Sequence, residues 1–149
     1  MADDISEARA RVIAEAKSWI GTPYHHMGRV KGAGCDCLTL LVEVYQRAGV
    51  IGPVEFPFYP PDAMMHRDGE SYFEGILAHG HEVEKPEPGD AVLFRWGRIY
   101  GHGGIVLEWP EDPTKPAWII NADPHNGVRR ADARNGDLIG RETKFVSPF

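Results

Sequence analysis

The chain has 149 residues, of which 42% are hydrophobic and 26% charged, so it is long enough to bury a core and too short for two ordinary domains. Its 17 glycines follow no triplet period and it has only 2 cysteines, which excludes collagen-like and disulfide-rich chains, and the composition is too apolar for disorder. The formal net charge of −6 argues against a nucleic-acid-binding protein, which normally has a basic face. We expect one domain that spans residues 1–149.

No segment of the sequence has the properties of a membrane span or a secretory signal. A membrane-spanning helix needs about 20 apolar residues, and the apolar runs here are far shorter. The N-terminal segment Met1–Asp4 is acidic, and no apolar core segment follows it. We therefore expect a protein that is synthesised in the cytoplasm without a signal peptide and does not span a membrane.

Two amphipathic helices are predicted in the first third of the chain. Between Ile5 and Ile20 apolar residues recur at steps of three and four, and Gly21 ends the pattern. A glycine-rich loop follows. A second helix is predicted over Asp36–Ala48, because its first residue is a good N-cap and one face of the segment is apolar. A short third helix is predicted within Asp62–Ala78.

Short apolar runs rich in β-branched residues dominate the chain after the turn signal at Pro88–Asp90. The loop Pro110–Pro116 would join the second and third runs as a hairpin. Because helices come first and strands later, the order favours an α+β fold over alternating βαβ units. The predicted strands are Ala91–Phe94, Gly103–Trp109 and Ala117–Asn121, with shorter ones at Val128 and Lys144–Val146.

Two cysteines flank an aspartate in the segment Cys35-Asp36-Cys37, and several chemistries compete for them. A disulfide within this tripeptide would close a very short, strained ring. A metal site that combined the thiols with His25 and His26 would have a spacing that matches no common zinc pattern, so we expect no bound metal. Cys35 suits the buried, unreactive state that is usual for a free cysteine.

Cys37 differs because it falls in the first turn of the second predicted helix. The N–H groups and the positive dipole end there favour a thiolate, and the same N–H groups can hold an oxyanion during acyl transfer. The Asp36 carboxylate would oppose ionisation if it faced the sulfur, but as an N-cap it turns towards the helix N–H groups. Cys37 is therefore the candidate nucleophile.

A thiol nucleophile needs a base and a group that orients the base. Of the seven histidines, His25 and His26 lie in the loop before the cysteine and could line a cleft, and His102 begins a strand whose flanking glycines let a substrate or another backbone approach closely. A structural role is the alternative for a histidine at a strand start. If the hairpin forms, Asn121 lies within a pair or two of His102, and its side-chain oxygen can accept the ring N–H. His125 is the weaker candidate for this third position, and Asn121 has an alternative role as a turn residue.

Four short segments stand in an order and combination that is specific to one family. They are Gly21–Tyr24 after the first helix, Gly34–Leu38 around the second cysteine, Pro88–Phe94 as a turn and strand, and Gly101–Leu107 as the histidine strand. Together they resemble the NlpC-type (p-sixty) family of cell-wall cysteine peptidases. The resemblance implies a papain-like α+β fold, with N-terminal helices packed on an antiparallel sheet, and no cofactor.

Residue by residue, the resemblance implies that Cys37 is the nucleophile, His102 the base and Asn121 the third catalytic residue, where the family most often has a histidine. It also implies that Tyr24 and Asp36 bind substrate beside the nucleophile. A Leu-Thr pair replaces the commoner Ser-Gly after the cysteine, and this departure concerns substrate details more than the chemistry.

The resemblance implies a peptidase that acts on the peptide stems of bacterial peptidoglycan, at the bond between D-glutamate and a diamino acid. The small size also resembles the cell-wall peptidases of phage tails and gene-transfer agents, so tail proteins and a phage-like particle are the candidate partners and location. Two alternatives stay open: a thiol amidase or acyltransferase on another substrate, and an inactive structural tail-assembly protein. Candidate ligands for stem carboxylates, each of which is singly more typical of a solvated surface charge, are Arg29, Lys31, Arg95 and Arg98.

Overall fold

The structure, a computed structural model, describes residues 2–55 and 70–149. The helices are α1 (Ala2–Ser18), α2 (Cys37–Arg47) and α3 (Glu70–Leu77), with a short 3-10 helix at Gly136–Leu138. The strands are β1 (Arg29–Val30), β2 (Gly34–Cys35), β3 (His81–Val83), β4 (Ala91–Trp96), β5 (Ile99–Glu108), β6 (Trp118–Asp123), β7 (Gly127–Asp132) and β8 (Thr143–Ser147). Within this part of the chain, no helix is both long enough and apolar enough to cross a membrane.

Six strands form one antiparallel sheet in the order β3-β8-β4-β5-β6-β7, and β1 pairs with β2 in a separate two-stranded hairpin. The predicted α+β class is confirmed, because helices and an antiparallel sheet occupy separate parts of the chain. The strand order places β5 and β6 side by side near one end of the sheet, with β7 as the edge strand beyond them.

Apolar side chains cover both faces of the sheet. Ile119 and Ile120 are fully buried, although adjacent residues of a strand point to opposite faces. Ile120 packs in one cluster with Trp19 and Leu41 from the helical side, whereas Ile119 packs in a second cluster with Leu138 from the 3-10 helix. Burial on both faces explains why the strands appear in the sequence as nearly continuous apolar runs rather than as alternating ones.

The start of α2 is determined by a capping box. The Asp36 carboxylate accepts hydrogen bonds from the N–H groups of Leu38 and Thr39, both at 2.9 Å, and the Thr39 hydroxyl accepts one from the Asp36 N–H at 2.8 Å. These bonds satisfy N–H groups that an uncapped helix would leave without partners. The predicted N-cap is confirmed, and the helix therefore begins at Cys37.

Each strand predicted from the sequence is present in the structure, but the observed strands differ from the predicted ones in length. The predicted strands at 91–94, 103–109 and 117–121 correspond to β4, β5 and β6, and the shorter ones at 128 and 144–146 to β7 and β8. Because β5 begins at Ile99, His102 lies inside the strand and not at its start, which corrects the sequence expectation. The helix predicted within 62–78 corresponds to α3, and its part before residue 70 lies outside the described residues.

Candidate active site

The pairing of β5 with β6 brings His102 and Asn121 into contact. Gly104 is the register partner of Asn121, two residues along β5 from His102. The Asn121 amide nitrogen lies 2.9 Å from Nε2 of His102. The sequence expected this neighbourhood from the hairpin, and the structure confirms the contact. Since Nε2 faces the amide, Nδ1 is the ring nitrogen that can exchange a proton with a thiol.

A glycine makes this close pairing possible. A Cβ atom added at Gly104 would lie 2.9 Å from the carbonyl oxygen of Ile120 and 3.2 Å from Cβ of Asn121. Both contacts are shorter than ordinary van der Waals separations, so any larger residue would push β6 away from β5. The lack of a side chain at residue 104 therefore allows Asn121 to lie next to the histidine strand.

Cys37 reaches the same strand from the N-terminus of α2. Its thiol donates a long hydrogen bond of 3.9 Å to the carbonyl oxygen of Gly101, the residue before His102. Cys37 is 5% exposed, so the protein covers most of its surface. Its place in the first helical turn puts it at the positive end of the helix dipole, which stabilises a thiolate.

Tyr24, Cys37, His102 and Asn121 all line one cleft, whose volume is about 670 Å³. The sequence predicted these four residues for the site, and the structure brings them together. The third-position alternative, His125, also lines the cleft but lies exposed on the turn between β6 and β7. Because the Asn121 amide contacts the His102 ring, the geometry favours Asn121 over His125 as the orienting residue.

The environment of His102 favours a neutral imidazole. Burial lowers the pKa of His102 to about 4, Asp123 opposes this shift, and the positive charge of Arg141 adds to it. The ring contacts two aromatic side chains of β4, with centroid distances of 6.0 Å to Phe94 and 5.9 Å to Trp96. At neutral pH the imidazole is therefore uncharged, which is the form in which it can accept a proton.

The Asn121 amide is suited to both protonation states of His102. As placed, its nitrogen donates to Nε2, and its buried oxygen Oδ1 has no hydrogen-bond partner within the described part of the chain. A neutral His102 whose Nδ1 is free to accept a proton carries its hydrogen on Nε2, as the imidazolium does, and in both forms Nε2 needs an acceptor. A half-turn of the amide supplies Oδ1 for this purpose and at the same time satisfies the buried oxygen.

The structure places Asp36, predicted to bind substrate, differently from the other four. Its side chain is 2% exposed and does not line the cleft. Besides capping α2, it accepts a hydrogen bond of 2.8 Å from the N–H of Met27. Because both carboxylate oxygens are directed at the protein backbone, the geometry favours a positioning role: Asp36 holds the loop that follows Tyr24 against the helix that carries Cys37.

Cys35 and Tyr24 pair through an isolated β-bridge close in sequence to the nucleophile. Cys35 is fully buried and has a free thiol, and burial, followed by the Asp36 charge, raises its pKa to about 12. Burial also raises the pKa of the Tyr24 phenol, and nearby negative charge on Cys37 and Asp36 raises it further. Both groups are therefore uncharged at neutral pH. In residues 2–55 and 70–149, no group of three or more acidic, cysteine or histidine side chains could hold a metal ion.

The cations that the sequence proposed for substrate carboxylates lie elsewhere. Arg29 pairs with Glu43 at 2.7 Å and Lys31 with Glu15 at 2.7 Å. The cleft is instead lined by residues that the sequence analysis did not select, among them Trp96, Trp118, Arg129 and Arg130. The sequence could have indicated these arginines only if the whole of β7 had been predicted as a strand. Its pairing with β6 then makes Arg129 the register partner of Asn121.

The fold is shared with a solved structure. The chain matches the crystal structure of the NlpC/p60 domain of peptidoglycan hydrolase SagA with a TM-score of 0.58 and 25% identity, over 93% of this chain and 97% of that one. No family model and no curated protein matches the sequence. The resemblance to the NlpC/p60 family and the papain-like α+β fold are confirmed by this match, which gives no support to the phage or gene-transfer-agent branch.

Proposed function

We propose that this protein is a cysteine peptidase that hydrolyses the peptide stems of bacterial peptidoglycan, at the bond between D-glutamate and a diamino acid. One observation carries the proposal: the Cys37 thiol and the His102–Asn121 pair line a single cleft. The match to a domain of a peptidoglycan hydrolase supports the substrate class.

In the first half of the reaction, the reactive tautomer of neutral His102 has its hydrogen on Nε2. Its free Nδ1 takes the proton from the Cys37 thiol as the sulfur attacks the amide carbon. A sulfur–carbon bond forms, and the carbonyl oxygen becomes an oxyanion. The N–H of Cys37 itself, at the N-terminus of α2, lies next to the sulfur and supports this oxyanion. Throughout this step Nε2 of His102 keeps its own proton and donates it to Oδ1 of Asn121, with the amide turned so that its oxygen faces the ring.

In the second half, the imidazolium of His102 protonates the leaving amine as the carbon–nitrogen bond breaks. The acyl group remains on Cys37 as a thioester. His102, now neutral again, takes a proton from a water molecule that attacks the thioester carbon. The acid product leaves, and the proton returns to the sulfur. A transferase would differ only in the last step, in which an amine replaces water.

The test of this proposal is digestion of muropeptides, with products identified by mass spectrometry. We expect the wild type to release fragments cut after D-glutamate and Cys37→Ala to release none. Cys35→Ala is the matched control, because it removes the buried thiol two residues away and should keep the activity. Fragments from Cys37→Ala would exclude this nucleophile, and no product from the wild type would favour a structural protein.

Assembly into a phage-like particle rests on the sequence alone and forms a separate proposal. It predicts that the protein copurifies with particles from a producing culture. Mass spectrometry of purified particles checks this, and a protein found only in the soluble fraction would contradict it.

A further inference from the structure

Arg129 lies directly across from Asn121. The pairing of β6 with β7 makes the two residues register partners, so their side chains share one face of the sheet. Directly opposed residues of antiparallel strands have Cβ atoms about 5 Å apart. Because Asn121 contacts His102, the Arg129 guanidinium is one strand away from the catalytic pair, and it lines the same cleft.

Most of the hydrogen-bonding capacity of Arg129 is unused among the described residues. Its guanidinium forms a long ion pair with Asp123, 3.5 Å from Nη2 to Oδ2, and its side chain is half-exposed. The other oxygen of Asp123 accepts from the N–H groups of His125 and Asn126, at 2.7 and 3.2 Å. Asp123 thus steers the guanidinium into the cleft, while several of its N–H donors remain available to a ligand.

The other charged residues of the cleft wall are engaged differently. The Arg130 guanidinium lies over the Trp118 ring, 4.3 Å from its centroid. Asp132 accepts from the N–H groups of Ala117 and Arg134, at 3.0 and 2.9 Å. Three aspartates line the cleft, and the chain has a net charge of −6. An anionic substrate therefore needs a positively charged side chain next to its own negative charge. Arg129 is placed to be that cation.

We propose that Arg129 binds a free carboxylate of the substrate beside the scissile bond and so selects acidic peptide stems. The inference rests on the proposed function. A guanidinium and a carboxylate form paired, charge-assisted hydrogen bonds, which are the strongest type available here. Two carboxylates of a stem peptide have this chemistry: that of D-glutamate linked through its side chain, and that of the diamino acid on the leaving side.

The experiment compares three synthetic stem peptides: one with both carboxylates free, one amidated at D-glutamate and one amidated at the diamino acid. Wild type, Arg129→Ala, Arg129→Lys and Lys17→Ala are assayed on each. Lys17→Ala is the control, since it removes an equal charge from the exposed last turn of α1, outside the cleft lining. Thermal unfolding shows whether each variant remains folded.

We expect the wild type to prefer a free carboxylate at one of the two positions by about tenfold in kcat/KM, mainly through KM. Arg129→Ala should abolish this preference, Arg129→Lys should keep part of it, and Lys17→Ala should keep all of it. Hydrolysis without a preference, or a preference that survives in Arg129→Ala, overturns this inference alone. If the wild type hydrolyses none of the peptides, the proposed function fails and the inference fails with it.

Discussion

At the scale of a single residue, the burial of His102 couples the stability of the protein to pH. In the unfolded chain the imidazole takes up a proton near its ordinary pKa of 6.5, whereas in the folded protein it does so only near pH 4, because burial lowers its pKa to about 4. Between pH 4 and pH 6.5, protonation of His102 therefore favours the unfolded state. The contribution of His102 to the free energy of unfolding is therefore complete above pH 6.5 and is lost as the pH falls towards 4.

The measurement is urea unfolding of the wild type and His102→Gln at several pH values from about 4.5 to 7.5. We expect acidification to lower the free energy of unfolding of the wild type by less than about 3 kcal/mol, because the His102 ring is only partly buried. Glutamine has no charge to gain, so the variant should lose less stability on acidification. His125→Gln, which changes an exposed histidine, should behave as the wild type. Parallel pH profiles for wild type and His102→Gln would contradict this account.

At the scale of the secondary-structure element, the capping box at the start of α2 joins stability to the position of the nucleophile. Removing the carboxylate in Asp36→Ala leaves the N–H groups of Leu38, Thr39 and Met27 without their acceptor. We expect the free energy of unfolding to fall by about 2 kcal/mol in urea titrations. Asp36→Asn keeps an acceptor oxygen and should lose less. Equal losses for the two variants would mean that the cap bonds are not the cause.

The contact between β5 and β6 supplies a second prediction at this scale. Gly104→Ala forces β6 away by placing a methyl group against the Ile120 carbonyl, and Asn121 moves with it. We expect a loss of about 1–3 kcal/mol in stability and a fall in kcat, because His102 loses its orientation. Gly52→Ala is the control, since nothing lies within 4 Å of the added atom. An unchanged kcat in Gly104→Ala would show that the spacing of these strands does not matter to the reaction.

At the scale of the whole molecule, Arg9 connects the N-terminal helix to the sheet. Its guanidinium donates to the buried Asp90 carboxylate at 2.9 Å and to the Pro88 carbonyl at 3.0 Å, and it lies over the Phe149 ring. Asp90 is 1% exposed, so Arg9→Ala would leave a buried carboxylate without its cation. We expect a loss of about 3 kcal/mol in the free energy of unfolding.

Urea unfolding of Arg9→Ala, Asp90→Asn and the double variant measures this connection. If the ion pair is responsible, the double variant loses less than the sum of the single variants. Additive losses would contradict the pairing. If residues 1–149 form one domain, as we propose, unfolding of the wild type followed by fluorescence and by circular dichroism should show one coincident transition.

The sequence by itself determined the features that depend on neighbouring residues. The cap at Asp36, and hence the position of Cys37 in the first turn of α2, follows from a side chain that bonds N–H groups two and three residues away. The hairpin of β5 and β6 joins strands that are adjacent in the chain, so the proximity of Asn121 to His102 could be predicted from the loop between them. Such local interactions are encoded within a short segment.

Only the tertiary structure decided the features that depend on distant segments. β3 has three residues and pairs with β8 at the other end of the chain, so its pattern alone is too short to identify it. The inward orientation of Asp36 and the entry of Arg129 into the cleft depend on how a loop and an edge strand pack against the rest of the fold. The burial that lowers the pKa of His102 likewise comes from surrounding segments, because removal from water is a property of the whole packed structure.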